Sequence, residues 1–264
     1  MLSIVAKDMH VEFPIYDDYG RSLRHTLGLG GIARSINKLT TKGLRVGGQI
    51  DKGHAGRIVI KALDGLCFEI HEGDRIGLLG PNGSGKTTLL RALAGIYEPV
   101  SGVLQVSGRV VPLFDLQLGM DPDATGIENI WLRGKLLDLT SQQINGALED
   151  IAEFTELGDY LLMPIRTYSH GMMLRLAFAI STAITPEILV LDEMIGAGDA
   201  QFFARASRRL KNFIEQAGIL VIASHSASVL RQWCNLGMLL ERGKLVAYGP
   251  LEDVIAGYDS ALKQ

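Results

Sequence analysis

The residues from Ile76 to Leu90 combine the types and the spacing needed to hold a polyanion. An apolar run, Ile76 to Leu79, enters Gly80-x-x-x-x-Gly85-Lys86-Thr87, and a helical pattern follows from Lys86 to Ala94. Glycines let the backbone curl so that successive N–H groups face one concavity, an anion site. The helix that opens there adds unpaired N–H groups and the positive end of its dipole. Lys86 is long enough to reach β- and γ-phosphates, and Thr87 carries a hydroxyl suited to Mg²⁺. A glycine-rich turn with a chance lysine is the plainer alternative, but the strand before and the helix after favour a nucleoside triphosphate site. Gly80, Pro81, Asn82, Gly83, Ser84, Gly85, Lys86, Thr87 and Thr88 are its candidate contacts.

Two further apolar runs end in polar residues. Ile188 to Leu191 ends in Asp192-Glu193, and Ile219 to Ala223 ends in Ser224-His225-Ser226. Such runs read as buried parallel strands, whose C-terminal ends are where open α/β sheets bind ligands. An aspartate there is placed to hold Mg²⁺ through waters, and the adjacent Glu193 to polarise a water in line with the γ-phosphate. Adjacent acids at a helix N-terminus are the competing explanation. His225 is positioned to contact the γ-phosphate, although a lone histidine is more often structural.

These groups need a sheet beneath them. Ile58 to Ile60, Leu66 to Phe68 and Arg75 to Leu79 read as strands, with Glu72-Gly73-Asp74 a turn between the last two. Leu2 to Ala6 and Val11 to Phe13 read as short edge strands. From Thr125 the pattern is mainly helical. Thr140 with Gln143 forms a capping box and Gly158 is a stop; a further helix is expected from near Gly171 to Thr185. The stretch from Asp115 to about Ser181 reads as a helical subdomain inserted into an α/β core. Glu241-Arg242-Gly243 signals a hairpin.

Between Gly20 and Lys61 there are nine Lys or Arg residues and one acid, Asp51. This basic stretch, about residues 20–57, is either a surface facing a membrane, a membrane protein or an anionic substrate, or a solvated loop. The 264 residues suffice for one large domain, and the net charge of -3 gives no reason to expect a nucleic-acid partner. The two cysteines, Cys67 and Cys234, show no metal spacing and read as buried free thiols of a reducing compartment. No apolar run is long enough to span a bilayer, and no signal-peptide pattern is present, so a soluble, cytoplasmic protein is expected.

The phosphate loop, Tyr168-Ser169-His170-Gly171-Met172, Leu191-Asp192-Glu193 and Ser224-His225-Ser226 occur in the order found in ATP-binding-cassette ATPases. The resemblance covers about residues 58 to 250. It implies a P-loop NTPase (RecA-like) α/β core with an inserted α-helical subdomain and a small N-terminal antiparallel β region. It also implies a head-to-tail dimer that binds ATP and Mg²⁺, in which Ser169 and Gly171 reach the γ-phosphate held by the partner copy. The segment departs from the family's Leu-Ser-Gly-Gly-Gln at His170 and Met172. By the same resemblance Glu193 is the general base, His225 the switch histidine, and Gly198-Asp199 part of a loop crossing the dimer interface. Phe13, or alternatively Tyr16, stacks on adenine. Gln117 is the nearest residue for the family's metal-sensing glutamine, with Asp115 an alternative occupant of that place.

Thr125-Gly126-Ile127-Glu128-Asn129 and Gly196-Ala197-Gly198-Asp199-Ala200 resemble the subfamily that exports O-antigen, capsule and teichoic acid. This implies an ATPase at the cytoplasmic face of the bacterial inner membrane, bound to a separate polytopic permease and moving a lipid-linked glycan. No C-terminal carbohydrate-binding domain is expected within one cassette of 264 residues. Teichoic acid, another lipid or a drug remain alternative cargoes. A soluble, non-transport cassette is the reading from another class.

Overall fold

The computed structural model describes residues 1–15, 49–52, 58–192 and 200–262. Glu193, Gly198, Asp199, Tyr16 and most of the basic stretch 20–57 lie outside the described residues.

A four-stranded antiparallel sheet is built from β1 (Ser3–Ile15), β2 (Gln49–Lys52), β3 (Ile58–His71) and β5 (Ser101–Ser107), in the order β2-β3-β1-β5. β1 and β3 are each single long strands rather than the two short pieces expected. In β1 the buried positions are Ile4 and Ala6, then Met9 and Val11, so the parity changes at Asp8. Asp8 has φ 46° and the pairing with β3 shifts register there, which is the mark of a bulge. Gly65, with φ 70°, does the same for β3. A pattern read at period two breaks at such a bulge although the strand continues.

Beyond the bulge in β3, Leu66, Phe68 and Ile70 are buried while Cys67 and Glu69 are exposed. Cys67 is therefore exposed, correcting the expectation of a buried thiol. Cys234 is half-buried, and desolvation pushes its thiol up to about 12. Because the thiolate is the nucleophile, iodoacetamide at pH 8 is expected to alkylate Cys67 well before Cys234 in the folded protein. Mass spectrometry of the labelled protein checks this, and equal rates would contradict it.

The second sheet has six strands in the order β10-β9-β4-β8-β7-β6. These are β4 (Arg75–Leu79), β6 (Val110–Leu113), β7 (Ile188–Asp192), β8 (Ile219–Ala223), β9 (Leu236–Glu241) and β10 (Lys244–Pro250). β6, β7, β8, β4 and β9 run parallel, and β10 closes the edge antiparallel after the hairpin turn at Arg242 and Gly243, both at positive φ. Alternate residues of β7 feed two cores. Ile188 and Val190 face the antiparallel sheet and helix α1 (Lys86–Leu93). Leu189 and Leu191 face the opposite layer. That layer holds α5 (Ala200–Gln216), α6 (Ala227–Trp233) and α7 (Leu251–Leu262), through Phe213, Leu230 and Val254. Burial on both faces explains why these strands are uniformly apolar.

Between β6 and β7 lie α2 (Gly126–Leu136), α3 (Ser141–Thr155) and α4 (His170–Ser181), with short 3-10 turns at Gly158–Leu162 and Ile165–Thr167. Capping boxes Thr125–Glu128 and Thr140–Gln143 start α2 and α3. Glu156, at φ 55°, closes α3, so the left-handed cap falls two residues before the expected Gly158. α4 ends at Ser181, short of Thr185, where the Thr182 hydroxyl turns back onto the Phe178 carbonyl at 2.8 Å. Ile130, Ile144, Ile151, Leu161 and Leu176 form a third apolar cluster within these helices. Among the described residues no helix is long and apolar enough to cross a membrane.

Candidate functional site

β4 delivers the chain into the glycine loop, where Gly80, Gly83 and Gly85 take φ values of 138°, 75° and 108°. A Cβ on Gly80 would lie 2.1 Å from the Leu240 carbonyl oxygen, and one on Gly85 2.8 Å from that of Ala62. The loop is thus pressed against β9 and β3, and only glycine fits. The β9–β10 hairpin braces it from below: Gly243 N–H donates to Ser84 O at 2.9 Å, and Asp64 N–H to Gly243 O at 2.8 Å. That hairpin was legible in sequence, but not its place beneath the loop.

α1 has no side-chain N-cap, whereas Thr125, Thr140 and Ser169 cap α2, α3 and α4. The leading N–H groups of α1 are therefore left for an anion. Lys86 is buried, its ammonium donating to the carbonyls of Gly80 at 2.7 Å and Pro81 at 3.1 Å. The Ser84 hydroxyl is buried with no hydrogen-bond partner among the described residues. Uncapped donors, a concentrated positive charge and an unsatisfied hydroxyl together fit a phosphate chain.

A cavity of about 580 Å³ opens over this loop. Asn82, Gly83, Gly85, Lys86, Thr87 and Thr88 line its floor, and Phe13, Ile60, Ala62, Asp192 and His225 its walls. Asp192, at the C-terminal end of β7, accepts a hydrogen bond from the Thr87 hydroxyl at 2.9 Å. A hydroxyl and a carboxylate oxygen meeting there form a hard-oxygen pair that suits Mg²⁺. His225 is exposed at the end of β8, in a turn where Ser226 N–H donates to the Ser224 hydroxyl at 3.1 Å.

Phe13 reaches the cavity from β1 and packs edge-on against Tyr97, with centroids 5.1 Å apart at 74°. The Tyr97 hydroxyl accepts from Arg91 at 3.2 Å, and Arg91 also pairs with Asp115 at 2.7 Å. Asp115, and then Tyr97, hold the Arg91 guanidinium above its ordinary range. Sequence reasoning missed Tyr97, Ile60 and Ala62, which carry no polar motif and reach the site only through packing.

The structure does not bring Gln117 into this cavity. It is exposed in the turn after β6, and Asp115 is committed to Arg91. The carbonyls on either side of Gln117, those of Leu116 and Leu118, both accept from Arg133, which also donates to the Ser181 hydroxyl. Burial pulls the Arg133 guanidinium below its ordinary value. This arginine ties the loop after β6 to α2 and α4.

Ser169 and Gly171 line a different cavity, of about 370 Å³, with Glu156, Tyr160, Met172 and Arg175. The Ser169 hydroxyl accepts from Met172 N–H at 3.2 Å and keeps its own O–H to donate. Within one chain, then, the phosphate loop, Asp192, His225 and Phe13 come together, and Ser169 and Gly171 stand apart.

Comparison with known proteins agrees with this geometry. The family model described as "ABC transporter" matches residues 63–196. The O-antigen export system ATP-binding protein RfbE of Yersinia enterocolitica is 41% identical over 243 residues, covering 92% of this chain and 96% of that protein. The teichoic acids export ATP-binding protein TagH of Bacillus anthracis is 36% identical over 203 residues, covering 77% of this chain but 37% of its own length. Among solved structures, the dimeric post-hydrolysis state of the ATP-binding cassette MJ0796 with ADP and Pi superposes with a TM-score of 0.61. It has 17% identity and covers 94% of this chain and 98% of that one. The fold is accordingly that of an α/β P-loop ATPase cassette. With the family model matched through the phosphate loop and a relative alike along nearly its whole length, the chain belongs to the ABC transporter family.

Proposed function

We propose that this chain is the ATP-hydrolysing subunit of an exporter that moves a lipid-linked, O-antigen-like polysaccharide across the bacterial inner membrane. It works as a head-to-tail dimer on a separate membrane-spanning permease, at the cytoplasmic face. The observation that carries the ATPase reading is the Thr87–Asp192 contact at 2.9 Å beside a loop built to cradle phosphate. The cargo rests on the near full-length likeness to the O-antigen export protein, and the shorter match to the teichoic acid protein makes that cargo the second choice. The helices between β6 and β7, with their own apolar cluster, support one cassette with an inserted helical subdomain over about residues 115–181.

In this reading the arriving triphosphate takes the place of the Gly80 and Pro81 carbonyls around Lys86, whose ammonium then faces β- and γ-oxygens. The α1 N–H groups and the Ser84 hydroxyl complete the cradle. Phe13, held edge-on by Tyr97, offers its face to adenine. Thr87 and Asp192 would hold Mg²⁺, which neutralises charge on the β- and γ-phosphates. Glu193 takes the proton of the attacking water, His225 contacts the γ-phosphate, and Ser169 and Gly171 close from the partner copy. Closure on ATP and reopening after hydrolysis form a two-state element biased by the γ-phosphate.

The test is copurification from detergent-solubilised membranes with ATP hydrolysis by the recovered complex. Glu193→Gln is expected to keep ATP binding and slow turnover by about 10²-fold or more. Unchanged hydrolysis would remove Glu193 from the mechanism. A chain that hydrolyses ATP but retains no polytopic partner would remove export.

A further inference from the structure

Where α3 and α5 meet, a cavity of about 330 Å³ separates Phe154 and Thr182 from the polar face of α5. It shares no lining residue with the nucleotide cavity or with the cavity beside Ser169. Arg205, Arg208, Arg209, Asn212 and Gln216 fall at i, i+3, i+4, i+7 and i+11 along α5, so they share one face. Phe154 is the platform beneath two of them: the Arg209 and Arg205 guanidiniums lie 4.4 and 5.8 Å from its ring centroid.

Two of the three arginines have carboxylate partners. Arg209 grips Asp150 with both terminal nitrogens, at 3.1 and 2.6 Å, and also donates to Thr182. Arg205 pairs with Glu156 at 2.5 Å, while its buried Nε–H has no acceptor among the described residues. Arg208 is exposed, and among the described residues no acidic side chain pairs with it. The Gln216 carbonyl oxygen accepts from the Thr185 hydroxyl at 3.3 Å, which leaves its NH₂ to donate. Three guanidiniums against two carboxylates, with neutral amide donors alongside, leave the cavity rich in donors and short of one negative charge.

We infer that this cavity binds a phosphate group, free or as a phosphate ester, with Arg208 as its counter-ion and Asn212 and Gln216 as neutral donors. Asp150 takes both terminal nitrogens of Arg209, and Glu156 takes one of Arg205. Arg208, Asn212 and Gln216 lie one turn apart in succession and line the same cavity, so their long side chains reach toward one anion from the same face. The site is independent of the nucleotide reading, since it uses no residue assigned to it.

The experiment uses the full chain with saturating ADP and Mg²⁺, so that the phosphate loop gives the same background throughout. Thermal unfolding is followed in inorganic phosphate and in chloride at matched ionic strength. Phosphate one hundredfold above its dissociation constant is expected to raise the midpoint by about 5 °C over chloride. Arg208→Gln and, separately, Asn212→Ala are expected to diminish the rise. Sedimentation with phosphatidylcholine vesicles, with and without phosphatidic acid, separates the sources. Binding only to phosphatidic acid vesicles, lost in Arg208→Gln, assigns the phosphate to a lipid headgroup. An equal rise in wild type and Arg208→Gln, or no phosphate-specific rise together with no such vesicle binding, overturns the inference.

Discussion

Lys86→Ala is expected to hydrolyse ATP at least about 10²-fold more slowly than wild type while remaining folded. The lysine ammonium is the strongest positive charge at the floor of the cavity, and it already sits on the carbonyls of Gly80 and Pro81. Removing one preorganised donor to a developing charge costs about 10²–10³ in turnover. The cost to stability is smaller. Each of the two carbonyls loses a charge-assisted bond worth about 1.5–3 kcal/mol, but both face a cavity where water replaces the lost donor. Lys86→Arg is not expected to rescue activity, because a planar fork does not fill the place of a compact ammonium. Steady-state ATPase rates, set beside thermal unfolding of the same preparations, check the separation. Turnover within a few-fold of wild type would remove Lys86 from phosphate binding.

Gly80→Ala is expected to act in the opposite order, through the fold first. Its added Cβ would meet the Leu240 carbonyl oxygen at 2.1 Å and the Ser84 hydroxyl at 2.7 Å, at a φ of 138°. The carbonyl belongs to β9, which pairs directly with β4, so it has no slack to yield. Relief therefore requires the loop to lift from the sheet, and a loss of about 4 kcal/mol or more is expected, in the range that marks a specific steric cause. For a chain of this size that is a fall in unfolding midpoint of about 10 °C. Gly249→Ala is the control, since its Cβ meets nothing within 4 Å and its φ is not positive. Circular dichroism melts of both variants decide the point; equal midpoints would mean that the loop is not clamped against β9.

The two variants mark the boundary between what was local and what was not. The glycine loop was legible because it lies in about ten contiguous residues whose geometry the glycines themselves impose. Asp192 and His225 were legible for a related reason: a strand buried on both faces is uniformly apolar, so the polar residue at its end stands out. The capping boxes at Thr125 and Thr140 are likewise contained within four residues.

Where sequence reading failed, the deciding partner was remote or the periodicity was interrupted. β1 and β3 each looked like two strands because bulges at Asp8 and Gly65 shift which residues face the core. Cys67 looked buried because its neighbours are apolar, yet alternation turns it outward. The place of Gln117 near the nucleotide rested on resemblance, and the fold instead sets it in a turn whose flanking carbonyls are held by Arg133.

By itself, then, the sequence determined that this chain has a phosphate loop, strand-end acid and histidine groups, and the ordered motifs of its family. Each of these follows from short-range sterics and from the apolar character of buried strands. Only the tertiary structure decided that Phe13 leans on Tyr97 and that the β9–β10 hairpin lies beneath the loop. It alone set Ser169 apart from the nucleotide cavity of its own chain and gathered three arginines over Phe154. Those arrangements join residues far apart along the chain, and they form only when the sheets and helices pack.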